Sequence, residues 1–261
     1  MYRDYDLERV DRCPIDIYVA SNMPYPYPYK LGKPANQTPK IRESCTTWIQ
    51  DSGIGDDTTN ADVLELAAEY DADFVIPCDE LHDQQATTDA VHEFLELYDD
   101  SDVRATPMIP LQPPYDDHYR DLSDFPAYCL GGIAFDYDAA EQVEAIRRFR
   151  RAAGDEPYAH ALGVGGSMTV VEAVTNSPGL VQSVDCSTPE QAAINGSVID
   201  ADLKQRSIGI LTGTGSSRGR YSLAETNAYQ LTDAYTKAMR QRDCSPGDLR
   251  DDNQAGLEMV Q

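Results

Sequence analysis

Basic residues are scarce in this chain. Its 261 residues carry 21 Lys and Arg against 45 Asp and Glu, a formal charge of −24. Proteins that hold polyanions by charge present a basic field, so the overall balance excludes nucleic-acid binding by bulk charge. It leaves room only for a local basic groove. Arg147, Arg148, Arg150 and Arg151 form one candidate cluster, equally readable as the solvated face of a helix, and Arg218 with Arg220 form another. The acidic residues are spread over predicted helices and loops alike, which implies a solvated acidic surface and not an acidic tail. Such a surface suits a salty cytoplasm, where self-repulsion is screened over about 3 Å at 1 M salt. Net charge speaks to solubility and partners and says nothing of the fold.

Other absences narrow the chemistry. The six cysteines, at 13, 45, 78, 129, 186 and 244, show no CxxC spacing, so neither a zinc knuckle nor a disulfide framework is expected. Cys78, Cys129 and Cys186 lie in apolar strand contexts and read as small buried residues. The four histidines (82, 92, 118 and 160) lack metal-ligand spacing, and His160 at a strand start reads as a core residue. No GxSxG elbow supports a serine hydrolase. The run Gly213–Gly219 misses the dinucleotide fingerprint by one residue and lacks its strand-to-helix context. No cofactor and no metal are expected. No apolar run is long enough to cross a membrane and no signal peptide is evident, which reads as an intracellular, cytoplasmic protein with no membrane partner.

What is present alternates. Strands are expected at Ile15–Ala20, Thr46–Gln50, Asp73–Cys78, Arg104–Leu111, Tyr128–Ile133, His160–Gly165 and Leu180–Val184, with a weaker last strand at Ile208–Leu211. Between them, helices are expected at Ala61–Tyr70 (capped by Asn60), Thr87–Tyr98, Asp138–Ala153 and Thr169–Val174. Another begins at Pro189, and a long one covers Leu223–Arg240. Apolar strands separated by helices indicate a parallel α/β sheet buried on both faces. With close to eight strands and a length near the ~250 residues usual for such barrels, the expectation is a single (β/α)8 TIM-type barrel domain over residues 1–243, with 244–261 a disordered tail. A doubly wound open sheet is the alternative. The stretch Pro24-Tyr25-Pro26-Tyr27-Pro28-Tyr29 cannot sit in a central strand or helix. It is expected to be a stiff surface loop, either packing tyrosines on the barrel or offering an aromatic platform beside a site.

Polar residues collect at the predicted strand ends, where such a barrel keeps its active site. Asp51-Ser52-Gly53, Asp79 and Asp185 each follow a strand, as do Gln112 and Gly131-Gly132. Any one aspartate alone reads as an ordinary turn or cap residue; three at three strand ends suggest one assembled site. Paired glycines let a ligand approach the backbone. Gly163-Val164-Gly165-Gly166 reads either as a phosphate cradle before a helix or as a small-residue strand end.

In order along the chain, Asp51-Ser52-Gly53, Asp79, Leu111-Gln112, Leu130-Gly131-Gly132-Ile133-Ala134, Leu162-Gly163-Val164-Gly165 and Val184-Asp185-Cys186 resemble the motif series of the tRNA-guanine transglycosylases. These are (β/α)8 barrels that exchange guanine for a 7-deazaguanine. The resemblance covers about residues 46–195. It implies Asp185 as nucleophile and Asp51 as general acid/base. It also implies a substrate-binding set of Asp79, Gln112, Gly131, Gly132, Ser52 and Gly165. The family's stacking tyrosine falls at Gly55, so Trp48 or a tyrosine of the proline-rich stretch is expected to replace it. The cysteine-rich zinc motif is missing, so no structural zinc is expected, and the length of the chain is expected to leave no room for the RNA-binding C-terminal domains of archaeal members. That build is closest to the zinc-less 7-deazaguanine DNA transglycosylases of bacteria and viruses, and the acidic composition suits a halophilic archaeon or its virus. The implied partners are a nucleic acid, DNA favoured and tRNA possible, and a free 7-deazaguanine base. Three alternatives remain: action on archaeal tRNA, base removal by water, and a barrel that binds nucleic acid or a 7-deazaguanine without turnover. Oligomeric state is not legible.

Overall fold

A computed structural model describes residues 5–53, 57–208 and 217–243. Nine parallel strands form the main sheet: β1 (Asp16–Ala20), β2 (Tyr29–Gly32), β3 (Thr47–Gln50), β4 (Phe74–Val75), β5 (Thr106–Pro107), β6 (Ile109–Leu111), β7 (Ala127–Leu130), β8 (Tyr158–Ala161) and β9 (Ser183–Cys186). They lie in the order β5-β4-β3-β2-β1-β9-β8-β7-β6. The two edge strands, β5 and β6, are separated only by Met108, whose amide donates to the Val75 carbonyl at 2.8 Å. The sheet therefore curls until its edges are consecutive segments of one chain stretch, a nearly closed parallel barrel flanked by helices. Because every strand runs the same way, all their C-terminal ends lie at one mouth.

The alternation of side chains explains both layers of the core. Tyr18, Leu31, Ile49, Ile76, Met108, Ala127 and Cys129 point inward and pack as one cluster. Their chain neighbours, such as Ile17, Ile109, Leu111, Tyr128, Leu130 and Val184, point outward and meet the helices. Helix α7 (Ala139–Ala153) is fixed by a capping box between Asp138 and Glu141, and its stripe of Val143, Ile146 and Phe149 faces the sheet. Arg150 continues that stripe. It is buried, and its guanidinium donates to the carbonyls of Leu180, Gly154 and Pro157 and to Gln182. It is therefore a structural cross-link, while Arg147, Arg148 and Arg151 are exposed. In α3 (Asn60–Glu69) the cap is Thr59 and not Asn60. The Asn60 side chain instead ties Ala90, Glu93 and the Cys78 amide together.

Two sequence expectations change. Strand β2 was not expected, because its start abuts the alternating prolines. It inserts between β1 and β3, while β9 pairs directly with β1 where a last strand at Ile208–Leu211 would have stood; residues 209–211 lie outside the described residues. Of the two readings of the proline-tyrosine stretch, packing of its tyrosines on the barrel holds, but beneath a helix and not at the surface. Tyr25 and Tyr27 are fully buried against Val19, Met23 and Ala193 and beneath α10 (Ser217–Asp243), where they meet Leu223, Ala224, Ala228 and Tyr229. Prolines keep this segment extended while its tyrosines supply apolar area, and Tyr27 satisfies its hydroxyl on Thr232 at 2.9 Å. Finally, Ser197–Ile199 (β10) and Gln205–Ser207 (β11) form a separate antiparallel hairpin. The described cysteines are all free. Among the described residues no helix is long and apolar enough to cross a membrane.

Candidate active site

Inward-facing positions at the strand C-termini gather the predicted residues. Ile49 points into the barrel, Trp48 and Gln50 point out, and so Asp51, the first residue after β3, turns inward. Asp185 is not on a turn past a strand, as expected, but inside β9, in register with Tyr18 of β1. Asp79 lies on the loop after β4, Gln112 directly after β6, and Gly131 directly after β7. The three carboxyls lie close enough to bear on the ionisation of Asp51, of Asp79 or of the Cys129 thiol between them. Burial pushes the Asp51 carboxyl up to about 6; Lys33 opposes this and Asp185 adds to it. Burial likewise pushes Asp79 up to about 7, with Asp51 as the next contributor. The Cys129 thiol inside the barrel is raised well above its usual range by burial first, then by Asp79, Asp51 and Asp185.

Asp185 is nearly fully buried and firmly held. Its Oδ1 accepts from the Gly163 amide at 2.7 Å and lies 3.3 Å from His160 Nε2. The other ring nitrogen of His160 meets Ser183 Oγ at 2.7 Å. An Nε2–H on Asp185 fits this network if the Ser183 hydroxyl donates to Nδ1, an assignment made from the partners. Tyr18 packs edge-on against the same ring, 5.6 Å between centroids. The Asp185 carbonyl accepts from the Gly165 amide at 2.9 Å. A Cβ on Gly165 would sit 3.0 Å from that carbonyl oxygen, so a larger residue would have to push the two backbones apart by a few tenths of an ångström. The run 163–166 is therefore not a phosphate cradle, because two of its amides are spent on Asp185.

Asp79 has its own support. Gln112 Nε2 donates to Asp79 Oδ2 at 2.5 Å, and Gln112 Oε1 accepts from the His82 amide at 3.2 Å. Gln112 is fully buried with both polar ends taken, so in this structure it orients Asp79. The Gly131 amide is bonded to the Leu111 carbonyl, and its own carbonyl accepts from the Tyr115 hydroxyl. What Gly131 offers is space: a Cβ there would lie 3.6 Å from Asp79 Oδ2. Gly132 caps the short helix α6 (Ile133–Asp136) at φ +80°, and its amide has no acceptor among the described residues. Ser52 is buried beside Asp51.

Gly132 gives a direct test. A Cβ there would come within 2.7 Å of Gln112 Oε1 in a backbone conformation that side chains disfavour. Gly132→Ala should cost about 1–2 kcal/mol for the left-handed conformation and should displace Gln112 from Asp79. A denaturant titration reads the first effect and base affinity the second.

Neither expected aromatic platform is at the mouth. Trp48 is fully buried among Ile41, Val63, Leu64 and Tyr70 on the outer face of the sheet, Tyr25 and Tyr27 lie under α10, and Tyr29 starts β2 beside Tyr18 at the end of the barrel away from the mouth. Gly55 and most of the Gly213–Gly219 run are outside the described residues. Sequence reasoning missed Lys33, whose charge acts on Asp51, and the contact of His160 with Asp185. The available signal for His160 was its inward strand position, two residues before Leu162. Among the described residues no cluster of three or more His, Cys, Asp and Glu side chains is arranged to hold a metal ion. Compared with protein-family models and with curated proteins, the chain matches neither.

Proposed function

We propose that this chain is a base-exchange transglycosylase that replaces guanine in a polynucleotide, DNA in preference to tRNA, with a free 7-deazaguanine. The observation that carries the reading is that two buried carboxyls face the same barrel mouth: Asp185, held inside β9 by the Gly163 amide and His160, and Asp51, directly after β3, the latter raised to about 6 by burial with Asp185 contributing. Carboxylate pairs of this kind serve displacement at a sugar carbon, one as nucleophile and one as acid/base. The motif order supports the same reading. So does the barrel count: taking β5 and β6 as one strand interrupted at Met108 gives eight parallel strands, although among the described residues no helix separates β1 from β2, and the site residues lie at their C-terminal mouth.

The chemistry then runs as two displacements. An Asp185 oxygen attacks C1′ of the target nucleoside, the glycosidic bond breaks, and its electron pair leaves with guanine. Asp51 delivers a proton to the departing base. The incoming base gives a proton to Asp51 and attacks C1′ with the freed nitrogen lone pair, and Asp185 leaves as carboxylate. Glycosidic bonds made and broken are equal, so no energy source is needed. The Gly163 amide and His160 hold the attacking group and offset its charge when it is released. Asp79, oriented by Gln112, accepts from the guanine N1 and N2 donors, and the Gly132 amide faces the opposite edge. The target base has to leave its stack to reach this mouth, at a cost of a few kcal/mol.

Incubation with labelled guanine tests the reading. Label should enter a guanine-containing DNA oligonucleotide, and added 7-deazaguanine should displace it. Label entering tRNA and not DNA would overturn the DNA preference. Release of free guanine without incorporation would replace exchange by base removal. Binding without either would leave a non-catalytic barrel.

A further inference from the structure

Phe135 is 65% exposed, the most exposed of the large hydrophobic side chains among the described residues. It lies on α6, which starts at Gly132 at the mouth of the barrel. Its two chain neighbours tie it to both halves of the site. Ala134 packs over Gly163: a Cβ on Gly163 would lie 2.9 Å from the Ala134 Cβ, and the Gly163 amide holds Asp185. On the other side, Asp136 Oδ2 is 2.8 Å from His82 Nε2, and the His82 amide holds Gln112, which orients Asp79. Phe135 thus projects from the short bridge between the nucleophile and the base-recognition pair. Folding gains little from an aromatic ring left in water.

We infer that Phe135 is the stacking platform for a nucleobase of the polynucleotide at the mouth, next to the target that enters the barrel. This rests on the proposed transglycosylase reading and assigns the contact that reading lacks, since Trp48, Tyr25 and Tyr27 are all buried elsewhere. Charge favours this kind of contact. A chain of net charge −24 repels phosphodiesters, so affinity for a strand has to come from contacts that do not depend on charge. An aromatic face stacks on any base and serves strands of any sequence. The high exposure of Phe135 places it outside the pocket, where a flanking nucleotide passes, and not against the edge of the free base.

Two variants test this. Phe135→Ala should raise the KM for a single-stranded guanine oligonucleotide about tenfold, within the range for loss of one base–aromatic stack, and leave the KM for the free base unchanged. In Phe135→Trp, oligonucleotide binding should quench the new, exposed indole at both low and high salt, against the background of Trp48, which is fully buried. An increase confined to the free-base KM would place Phe135 in the free-base subsite and overturn the inference. So would no change in either KM together with no quenching. Quenching in a protein that never exchanges guanine would sustain the platform while the transglycosylase reading failed.

Discussion

Asp185→Asn should reduce guanine exchange by at least about 10³-fold, the scale on which enzymes lose rate when the attacking group is removed, while leaving the fold intact. Asparagine keeps an oxygen where Oδ1 now accepts from the Gly163 amide and faces His160. The site should therefore stay assembled, and thermal unfolding should change little. What disappears is the carboxylate that forms the bond to C1′. Base and oligonucleotide affinities should persist within a few-fold, because the recognising groups, Asp79, Gly132 and Phe135, are untouched. Retained exchange would mean that Asp185 is a buried structural carboxylate. Lost exchange with lost binding would mean that Asn had disturbed the pocket, a case that thermal unfolding and base binding would reveal.

Asp79→Asn should produce the second large effect, and its sign depends on pH. A carboxylate accepts both guanine donors only when ionised. With its carboxyl raised to about 7, wild-type affinity for the base should weaken as pH falls through that value and level off above it. The variant presents only one acceptor oxygen, beside donors that oppose the guanine N–H groups. It should lose about 10²-fold or more in kcat/KM for guanine, as sites built around buried hydrogen bonds do, and should lose the pH dependence near 7. Stability should move the other way. Asp79 and Asp51 ionise at about 7 and about 6 in the folded chain, against about 4 for a free aspartate. Between those values the folded state binds more protons, so stability falls as pH rises through the window from about 4 to about 7. At pH 8 Asp79→Asn should then be more stable than wild type by on the order of 1 kcal/mol, a figure discounted for the partial exposure of Asp79. A variant less stable than wild type at pH 8 would show that the Gln112–Asp79 bond outweighs the cost of burying the charge.

The parts of the fold written in local patterns were legible. The strands expected at Thr46–Gln50, His160–Gly165 and Leu180–Val184 exist as Thr47–Gln50, Tyr158–Ala161 and Ser183–Cys186, the first in place and the other two displaced by two to four residues. Strand β2 was not legible, because the prolines before Tyr29 suppress a strand signal that pairing with β1 and β3 restores. Packing of Tyr25 and Tyr27 on the barrel was one of two open readings, and the element that covers them was not legible. Their cover comes from α10, some 200 residues away, and no local pattern carries that contact. Within the site, the identities of Asp51, Asp79 and Asp185 were visible, but their coupling was not. His160 meets Asp185 because β8 and β9 pair with His160 opposite Ser183, a register set by the whole sheet. Trp48 was misjudged because a strand places alternate residues on opposite faces, and the inward position belongs to Ile49 and Asp51. Phe135 escaped notice because its meaning lies in its exposure, which only the assembled mouth reveals.

The central claim is a covalent bond between Asp185 and C1′ of the target nucleoside. Mass spectrometry of protein quenched during turnover on a guanine-containing oligonucleotide tests it most directly. The peptide containing Ser183–Cys186 should carry the base-free strand through an ester at Asp185, and that mass should vanish when excess free guanine is added before quenching or when Asp185 is replaced by Asn. Exchange proceeding with the bond on another residue, or with no bond at any time during turnover, would contradict the account.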